Sequence, residues 1–361
     1  MMTIDVIDKT DHRLLLAVPM LSSLNALAGQ KGWNIRLHTG PGVNASLFGV
    51  FSGVEAVTGK KQQASGQVQC ILTDHPQHYD VHATANILYY PIVTEAVGKD
   101  GIPQPAASIQ ASIIPLSPPK ADEGGYRTGD IASTMDMISR LLNPPDFKDK
   151  KILISAGPTV EDIDPVRFIS NRSSGKMGIA LARAAFVRGA DVRLVMGPSV
   201  EPPPQCLNVT YVRSARDMDE AIGQHFFACH VYIGAAAVAD YRPRQLKQHK
   251  IKKSEGDSVL HLQRTTDILS RLKSMKHQQI MVGFSVETED LIEHSRDKLH
   301  RKGLDMIVAN NPGIKGAAFA GDTNQVSIIH RNGDVQTLPM MSKPDTAHAI
   351  LDQLLNYGQG V

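Results

Sequence analysis

The clearest hydrophobic rhythm in the chain begins after residue 150. Residues 151–155 (KILIS) form a short apolar run suited to a buried strand. The spacing of Met177, Leu181, Ala184 and Ala185 predicts a helix over 177–188 with one apolar face. Residues 191–195 and 208–212 read as further strands. Ser214-Ala215-Arg216-Asp217 is a capping box, and Met218, Ile222 and Phe226 continue at helical spacing behind it. Strands are expected at 231–238 and 280–284, a helix over roughly 290–302, and a strand at 305–309. This alternation predicts an α/β fold: a Rossmann-like, mostly parallel sheet with helices on both faces. The rhythm changes at the end. Two apolar segments, 325–330 and 334–338, flank Arg331-Asn332-Gly333 and predict a hairpin. A last helix follows Ser342, which caps it, with Pro344 in its first turn.

The first 140 residues also suggest α/β structure, with strands expected at 14–18 and 34–38 around a helix. Residues 14–20 are apolar and Ala26-Leu27-Ala28 resembles a signal-peptidase site. Yet Asp5, Asp8 and Asp11 outnumber Lys9 and Arg13 ahead of the run, and a signal peptide wants a positive start. A buried strand leading into a helix fits better. Residues 143–150, with Pro144 and Pro145 among several charges, read as a wet linker. The 361 residues therefore divide into domains expected at 1–145 and 146–361.

Composition narrows the function classes. A net charge of +2 gives no global field for nucleic acid or a membrane surface, so any anion site is local. No apolar stretch is long enough to span a bilayer. Three cysteines without a CxxC pair argue against a disulfide framework or structural zinc, and fit the cytoplasm. His75, His78 and His82 lack the partners of a metal site, so no protein metal site is expected. No Ser/His/Asp triad is evident, and the missing G-x-G-x-x-G fingerprint argues against a nicotinamide-dependent oxidoreductase.

Several segments carry candidate chemistry. Gly157 follows the first strand of the second domain, where backbone can approach a ligand; it also reads as a plain turn. Arg167, Asn171, Arg172, Ser173, Ser174, Gly175 and Lys176 crowd the start of a helix, a setting for anions that two serines and a glycine could also explain as a cap. Ala235, Ala236 and Ala237 leave room for a flat ligand, with Asp240 beyond them. Lys250, Lys252 and Lys253 read as a phosphate contact or a solvated face. Phe284 ends a strand and could meet a base or simply fill a core. Lys298 and Lys302 lie one helical turn apart and could clamp phosphates or be surface lysines.

In order along the chain, AGPT, IDPVRFISNRSSGKMG, AAAVADYRP, KIKK, TDIL, VGFSVET, KGLDMIVAN and FAGDTNQVSII resemble the ligase half of the bacterial phosphopantothenoylcysteine decarboxylase / phosphopantothenate–cysteine ligase family. The resemblance covers most of the second domain. It implies that 4′-phosphopantothenate is joined to L-cysteine through an acyl-cytidylate, with CTP as co-substrate and Mg²⁺ on its phosphates. By the same resemblance, Asn171, Arg167 and Lys250 serve catalysis. Gly157, Ala236, Asp240, Thr266, Asp267, Ile268, Leu269, Phe284, Lys298 and Lys302 bind the nucleotide. Ser173, Ser174, Gly175 and Lys176 fall in the substrate and phosphate segment. Thr266 departs from the family's proline. A homodimer or higher homo-oligomer is implied.

The first half resembles the family's flavoprotein domain in outline, through Ala83-Thr84-Ala85-Asn86, Ile113-Ile114-Pro115 and Gly124-Gly125-Tyr126-Arg127, but not in its functional residues. Ala17-Val18-Pro19-Met20 replaces the flavin-binding Gly-Ser turn, and Val68 stands where the catalytic histidine would align. The substrate segment is deleted near 106–113, and Lys120-Ala121-Asp122-Glu123 replaces the stretch with the family's cysteine. A degenerate domain without FMN is expected. Two alternatives stay open: a still-bifunctional enzyme, and a catalytically silent nucleotide-binding or assembly protein. Purified protein is expected to lack the flavin absorption bands; a yellow protein that releases CO2 from phosphopantothenoylcysteine would establish the bifunctional reading.

Overall fold

The structure is a computed structural model of the chain. It describes residues 145–204, 206–252, 258–314 and 321–358, together with eight short strands and a few helical positions between 3 and 140. The chain divides into two compact units, Met1–Asn143 and Pro144–Val361.

In the first unit, β1 (Thr3–Asp8), β2 (Asn34–Thr39), β3 (Val54–Thr58), β4 (Cys70–Thr73), β5 (Asn86–Tyr89) and β6 (Ile114–Pro115) form a parallel sheet in the order β3-β2-β1-β4-β5-β6. A separate antiparallel pair joins β7 (Ala121–Asp122) to β8 (Gly125–Tyr126). The strand expected at 34–38 is present as β2. The hydrophobic pattern did not single out β1, whose apolar positions are interrupted by Asp5 and Asp8. The strand expected at 14–18 lies outside the described residues. So do 17–20, Val68 and 106–113, the positions behind the expected loss of flavin chemistry.

The second unit holds β9 (Lys151–Ala156), β10 (Val160–Asp162), β11 (Phe168–Ser170), α1 (Lys176–Val187), β12 (Asp191–Met196), β13 (Asn208–Tyr211), α2 (Ala215–Phe226) and β14 (Val231–Gly234). Then come β15 (Tyr241–Pro243), β16 (Leu262–Arg264), α3 (Ile268–Met275), β17 (Ile280–Val286), α4 (Leu291–Lys302) and β18 (Met306–Asn310). The chain ends in β19 (Thr323–Asn324), β20 (Val326–His330), β21 (Val335–Thr337), β22 (Met341–Ser342) and α5 (Lys343–Gly358).

Its main sheet runs β13-β12-β9-β14-β17-β18-β20-β21. The first six strands are parallel and the last two antiparallel. Successive strands step outward from β9 to β12 and β13, and the chain then crosses back to place β14 on β9's other side. That is the strand order of a doubly wound sheet, with its switch point at the carboxyl ends of β9 and β14.

Alternation along β9 divides its side chains between two cores. Ile152, Ile154 and Ala156 pack with Leu181 and Ala185 of α1 and Ile350 and Leu351 of α5. Leu153 packs on the opposite face with Met218, Ile222 and Phe226 of α2, Leu272 of α3 and Leu299 of α4. The capping box at Ser214 forms as expected, with Ser214 Oγ accepting from the Asp217 amide at 3.1 Å. Ser342 Oγ likewise accepts from the Asp345 amide at the start of α5.

Two expectations need correction. The strand expected at 231–238 ends at Gly234; beyond it the backbone follows the loop after β9 through an isolated bridge at Pro158, in which the Ala237 amide donates to the Gly157 carbonyl and the Thr159 amide to the Ala237 carbonyl. The linker is not wholly wet. Phe147 is 3% exposed and lies beneath Arg188, whose guanidinium carbon is 5.0 Å from the ring centroid. Arg188 also binds Asp146 at 2.5 Å and Asp352 of α5 at 2.7 Å.

Helix α1 lies unusually close to β9. A Cβ added at Gly178 would sit 2.3 Å from the Ala156 Cβ. In an exposed helix Gly→Ala is stabilising by about 1 kcal/mol. Here the sign reverses: Gly178→Ala is expected to destabilise by about 1–3 kcal/mol. Calorimetry should register this as a lower unfolding midpoint, by roughly 2–4 °C per kcal/mol.

Candidate functional site

A cleft of about 530 Å³ opens where β9, β14 and β17 end. Its floor is Ser155, Tyr232 and Gly234. One wall is the segment after β14, with Ala236, Val238, Ala239, Asp240 and Tyr241. Thr265, Thr266, Asp267, Ile268 and Leu269, leading into α3, form another, and Phe284, Lys298 and Lys302 close the cleft from β17 and α4. Small side chains at 235–237 keep the first wall thin, and helical spacing puts both lysines on one face of α4.

The lysines are positioned differently. Lys298 Nζ donates to the Phe284 carbonyl at 2.9 Å, and burial pushes its ammonium below the usual lysine range against the pull of Glu287. Lys302 Nζ is bonded to the Asp267 carboxylate and to Ser270 Oγ at 3.0 Å. Burial alone would raise the Asp267 carboxyl; the bonds from Lys302 and Ser270 outweigh it and hold it below the carboxylate range. Asp267 also caps α3 by accepting from the Ser270 amide at 3.1 Å. The Lys302–Asp267 pair thus ties α4 to the start of α3 across the cleft.

A second cluster lies beside the first wall. Asn171 Nδ2 donates to the carbonyls of Ala237 at 3.2 Å and Val238 at 3.1 Å. Thr159, fully buried, accepts from the Ala239 amide through Oγ1 at 2.9 Å, and its carbonyl accepts from Ser170 Oγ at 2.8 Å. These bonds hold the loops after β9, β11 and β14 together. Asp164, 1% exposed, organises the next turn. It accepts from the amides of Val166 and Arg167 at 2.8 Å and of Ile251 at 3.1 Å, and from Arg167 Nη1 at 3.2 Å. Burial would raise its carboxyl, and these donors outweigh it to hold it low. Arg167 Nη2 also donates to the Ile251 carbonyl at 3.2 Å, which anchors the backbone next to the exposed Lys250.

Nine of the ten residues expected around the nucleotide line this one cleft: Ala236, Asp240, Thr266, Asp267, Ile268, Leu269, Phe284, Lys298 and Lys302. Gly157 does not. It is buried with φ +76°, and a Cβ there would be 3.0 Å from the Gly197 carbonyl oxygen, so it serves the crossing of two backbones. Asn171, Arg167 and Lys250 stand outside the lining, in the adjacent cluster. Ser173, Ser174 and Gly175 are not in the lining either; they form the turn into α1, where a Cβ at Gly175 would lie 3.3 Å from Gly157 Cα. Gly175 caps α1 in the left-handed region without a side-chain cap, and the first turn has no acidic residue. Lys176 is already held by Asp322 at 2.7 Å and Glu201 at 3.0 Å, whose hydrogen bonds push its ammonium up.

Sequence reasoning missed Asp164, Thr159, Ser155 and Tyr232. Asp164 had a signal, since an aspartate two and three residues before a loop's amides is an Asx turn. Tyr232 and Ser155 had none, because alternation reads them only as strand positions. Among the described residues no three His, Cys, Asp or Glu side chains converge as a metal site, and no helix is long and apolar enough to cross a membrane.

Known proteins resemble mainly this second unit. The coenzyme A biosynthesis bifunctional protein CoaBC of Bacillus subtilis is 47% identical over 209 residues, 58% of this chain, and the chain spans about half of that relative's length, 52%. A protein described as cysteine/cysteine sulfinic acid decarboxylase, from an unknown prokaryotic organism, is 40% identical over 283 residues, covering 73% of this chain and 78% of its own. The crystal structure of the C-terminal domain of a CoaBC protein aligns with a TM-score of 0.52 at 41% identity, over 60% of this chain and 100% of that one. The family model described as DNA/pantothenate metabolism flavoprotein C-terminal domain matches residues 147–357, and the chain belongs to that family.

Proposed function

We propose that the second unit ligates 4′-phosphopantothenate to L-cysteine with a nucleoside triphosphate, CTP, as the activating co-substrate. One observation carries the reading. The Asn171 amide donates to the Ala237 and Val238 carbonyls, which brings SNRSSGKMG against AAAVADYRP, the wall of the cleft, although the two are 66 and 67 residues apart. The relatives described as coenzyme A biosynthesis bifunctional proteins agree with that setting.

The cleft suits a nucleotide. Its thin alanine wall, Phe284 and Leu269 accept a flat apolar body, and Lys298 and Lys302 offer positive charge to phosphates. In the proposed first step a substrate carboxylate oxygen attacks the α-phosphorus. The bond to the bridging oxygen breaks and pyrophosphate leaves. In the second, the cysteine amine attacks the acyl carbon, the C–O bond to CMP breaks, and the amine loses a proton. In this reading Asn171 and Arg167 hold the acyl-nucleotide and Lys250 reaches the phosphates, the roles that the family resemblance implies. Asp164 positions the last two by fixing Arg167 and Ile251. Mg²⁺ enters this reading as a cation carried by the triphosphate of the substrate. The reading includes a homodimer and an N-terminal unit without FMN.

A second reading comes from the relative described as a cysteine/cysteine sulfinic acid decarboxylase, whose match extends over more of the chain. Both readings involve cysteine, and their products separate them.

Purified protein given phosphopantothenate, Mg²⁺ and CTP is expected to release pyrophosphate, with cysteine required for multiple turnover. Asn171→Ala is expected to lose that turnover by about a hundredfold, as for one lost oxyanion donor. CO2 from cysteine without nucleotide would instead establish the decarboxylase reading. Preference for ATP would correct the co-substrate alone.

The lowered Lys298 sets a pH dependence. Triphosphate favours the charged ammonium, so affinity is full below the amine's pKa and falls as pH rises through it. That fall is expected nearer neutrality than for a surface lysine. Lys298→Arg, always protonated, should flatten it in CTP titrations from neutral to alkaline pH.

A further inference from the structure

We infer that the hydroxyls of Ser155 and Tyr232 form a reading floor that hydrogen-bonds the buried polar edge of the nucleoside. The inference rests on the nucleotide reading of the cleft and names the residues that select the ligand's inner end.

Ser155 is the penultimate residue of β9 and Tyr232 lies on neighbouring β14. The register pairs Ser155 with Gly234 and Tyr232 with Leu153, so both hydroxyl side chains share one face of the sheet. Gly234 makes this possible. A Cβ there would lie 3.3 Å from the phenol oxygen and 3.5 Å from Leu269 Cδ2, crowding the space the phenol reaches into. Ser155 is 1% exposed and Tyr232 2%, and both line the cleft.

The two oxygens are 3.1 Å apart, and either can donate to the other. Two hydroxyls carry two protons, and this bond uses one. Among the described residues neither oxygen has another side-chain partner, so one O–H donor and several lone pairs remain. Buried polar groups are rarely left so, because an unmet donor in an apolar surrounding is costly. The side-chain acceptors of the lining, among them Asp240, Thr266 and Asp267, are bonded to neither hydroxyl. The remaining donor is free for what enters from the mouth. Burial pushes the Tyr232 phenol up to about 12, so it stays neutral and keeps its proton.

The lysines suit the phosphates and the apolar walls suit the flat base, which leaves the base's polar edge for the floor. The pair is amphoteric: one hydroxyl can donate outward while accepting from its neighbour, or accept while donating. It can therefore meet a carbonyl or an amino group in the same place. Removing both hydroxyls together leaves no orphaned partner in the protein, so stability changes little while the ligand loses its contact.

The test is calorimetric titration of the full chain with CTP, UTP and inorganic tripolyphosphate. Wild type is compared with Tyr232→Phe and with the Ser155→Ala/Tyr232→Phe double variant. The expected result is about a tenfold loss of CTP affinity in the double variant, as for one lost hydrogen bond to a bound ligand, with tripolyphosphate affinity and the unfolding midpoint unchanged. Equal CTP affinity in all three proteins overturns the floor and leaves the ligase reading standing. Equal loss of CTP and tripolyphosphate also overturns it, since the pair would then only support the cleft. Should the double variant fail to fold, Tyr232→Phe, which keeps the ring's packing, separates the same outcomes by CTP against tripolyphosphate. No binding of either nucleoside triphosphate to wild type overturns the nucleotide reading itself.

Discussion

The site depends on the reversal of strand order at β9. The chain builds outward to β12 and β13 and then must cross back to lay β14 on the other side. The connections leaving β9 and β14 head for opposite sides of the sheet, yet they first run together as far as Ala239. The molecule holds them by close backbone approach: the Gly157–Pro158 turn meets Gly197 on one side and Ala237 on the other. The cleft opens on the β17 side of that contact, above Ser155 and Tyr232.

Around that cleft the polar groups divide the work. Thr159, Ser170 and Asn171 bond mostly to backbone carbonyls and amides, so they fix loops. Lys302 and Asp267 neutralise each other while joining two helices. Lys298 is half-buried and donates to a carbonyl, leaving its charge without a hydrogen-bonded carboxylate among the described residues. A phosphate would thus meet one cation already engaged and one whose charge is only partly met.

Much of the second unit was legible because its strands are short apolar runs and its helices carry clear stripes. Leu153 and Ile154 must face opposite ways, so two covering layers of helix followed from one strand. The end of β14 was not legible, since Ala235 to Val238 remain apolar after the ladder stops and only the approach of Gly157 decides where pairing ends. Phe147 was hidden among charges that marked the segment as exposed; its burial depends on Arg188, some forty residues on. The nucleotide residues came from resemblance. Their convergence is a matter of topology that no local spacing encodes. The pairing of Lys176 was hidden for the same reason, because its carboxylate partners, Glu201 and Asp322, are remote in sequence.

Arg188 joins the two ends of the second unit. Its guanidinium holds Asp146, at the start, and Asp352, in the final helix. A structure whose entry and exit are fastened at one point behaves as a cassette. The clasp ties the lead-in of the first strand to the closing helix of the same unit. A change at Arg188 would therefore be felt at both ends of the unit at once.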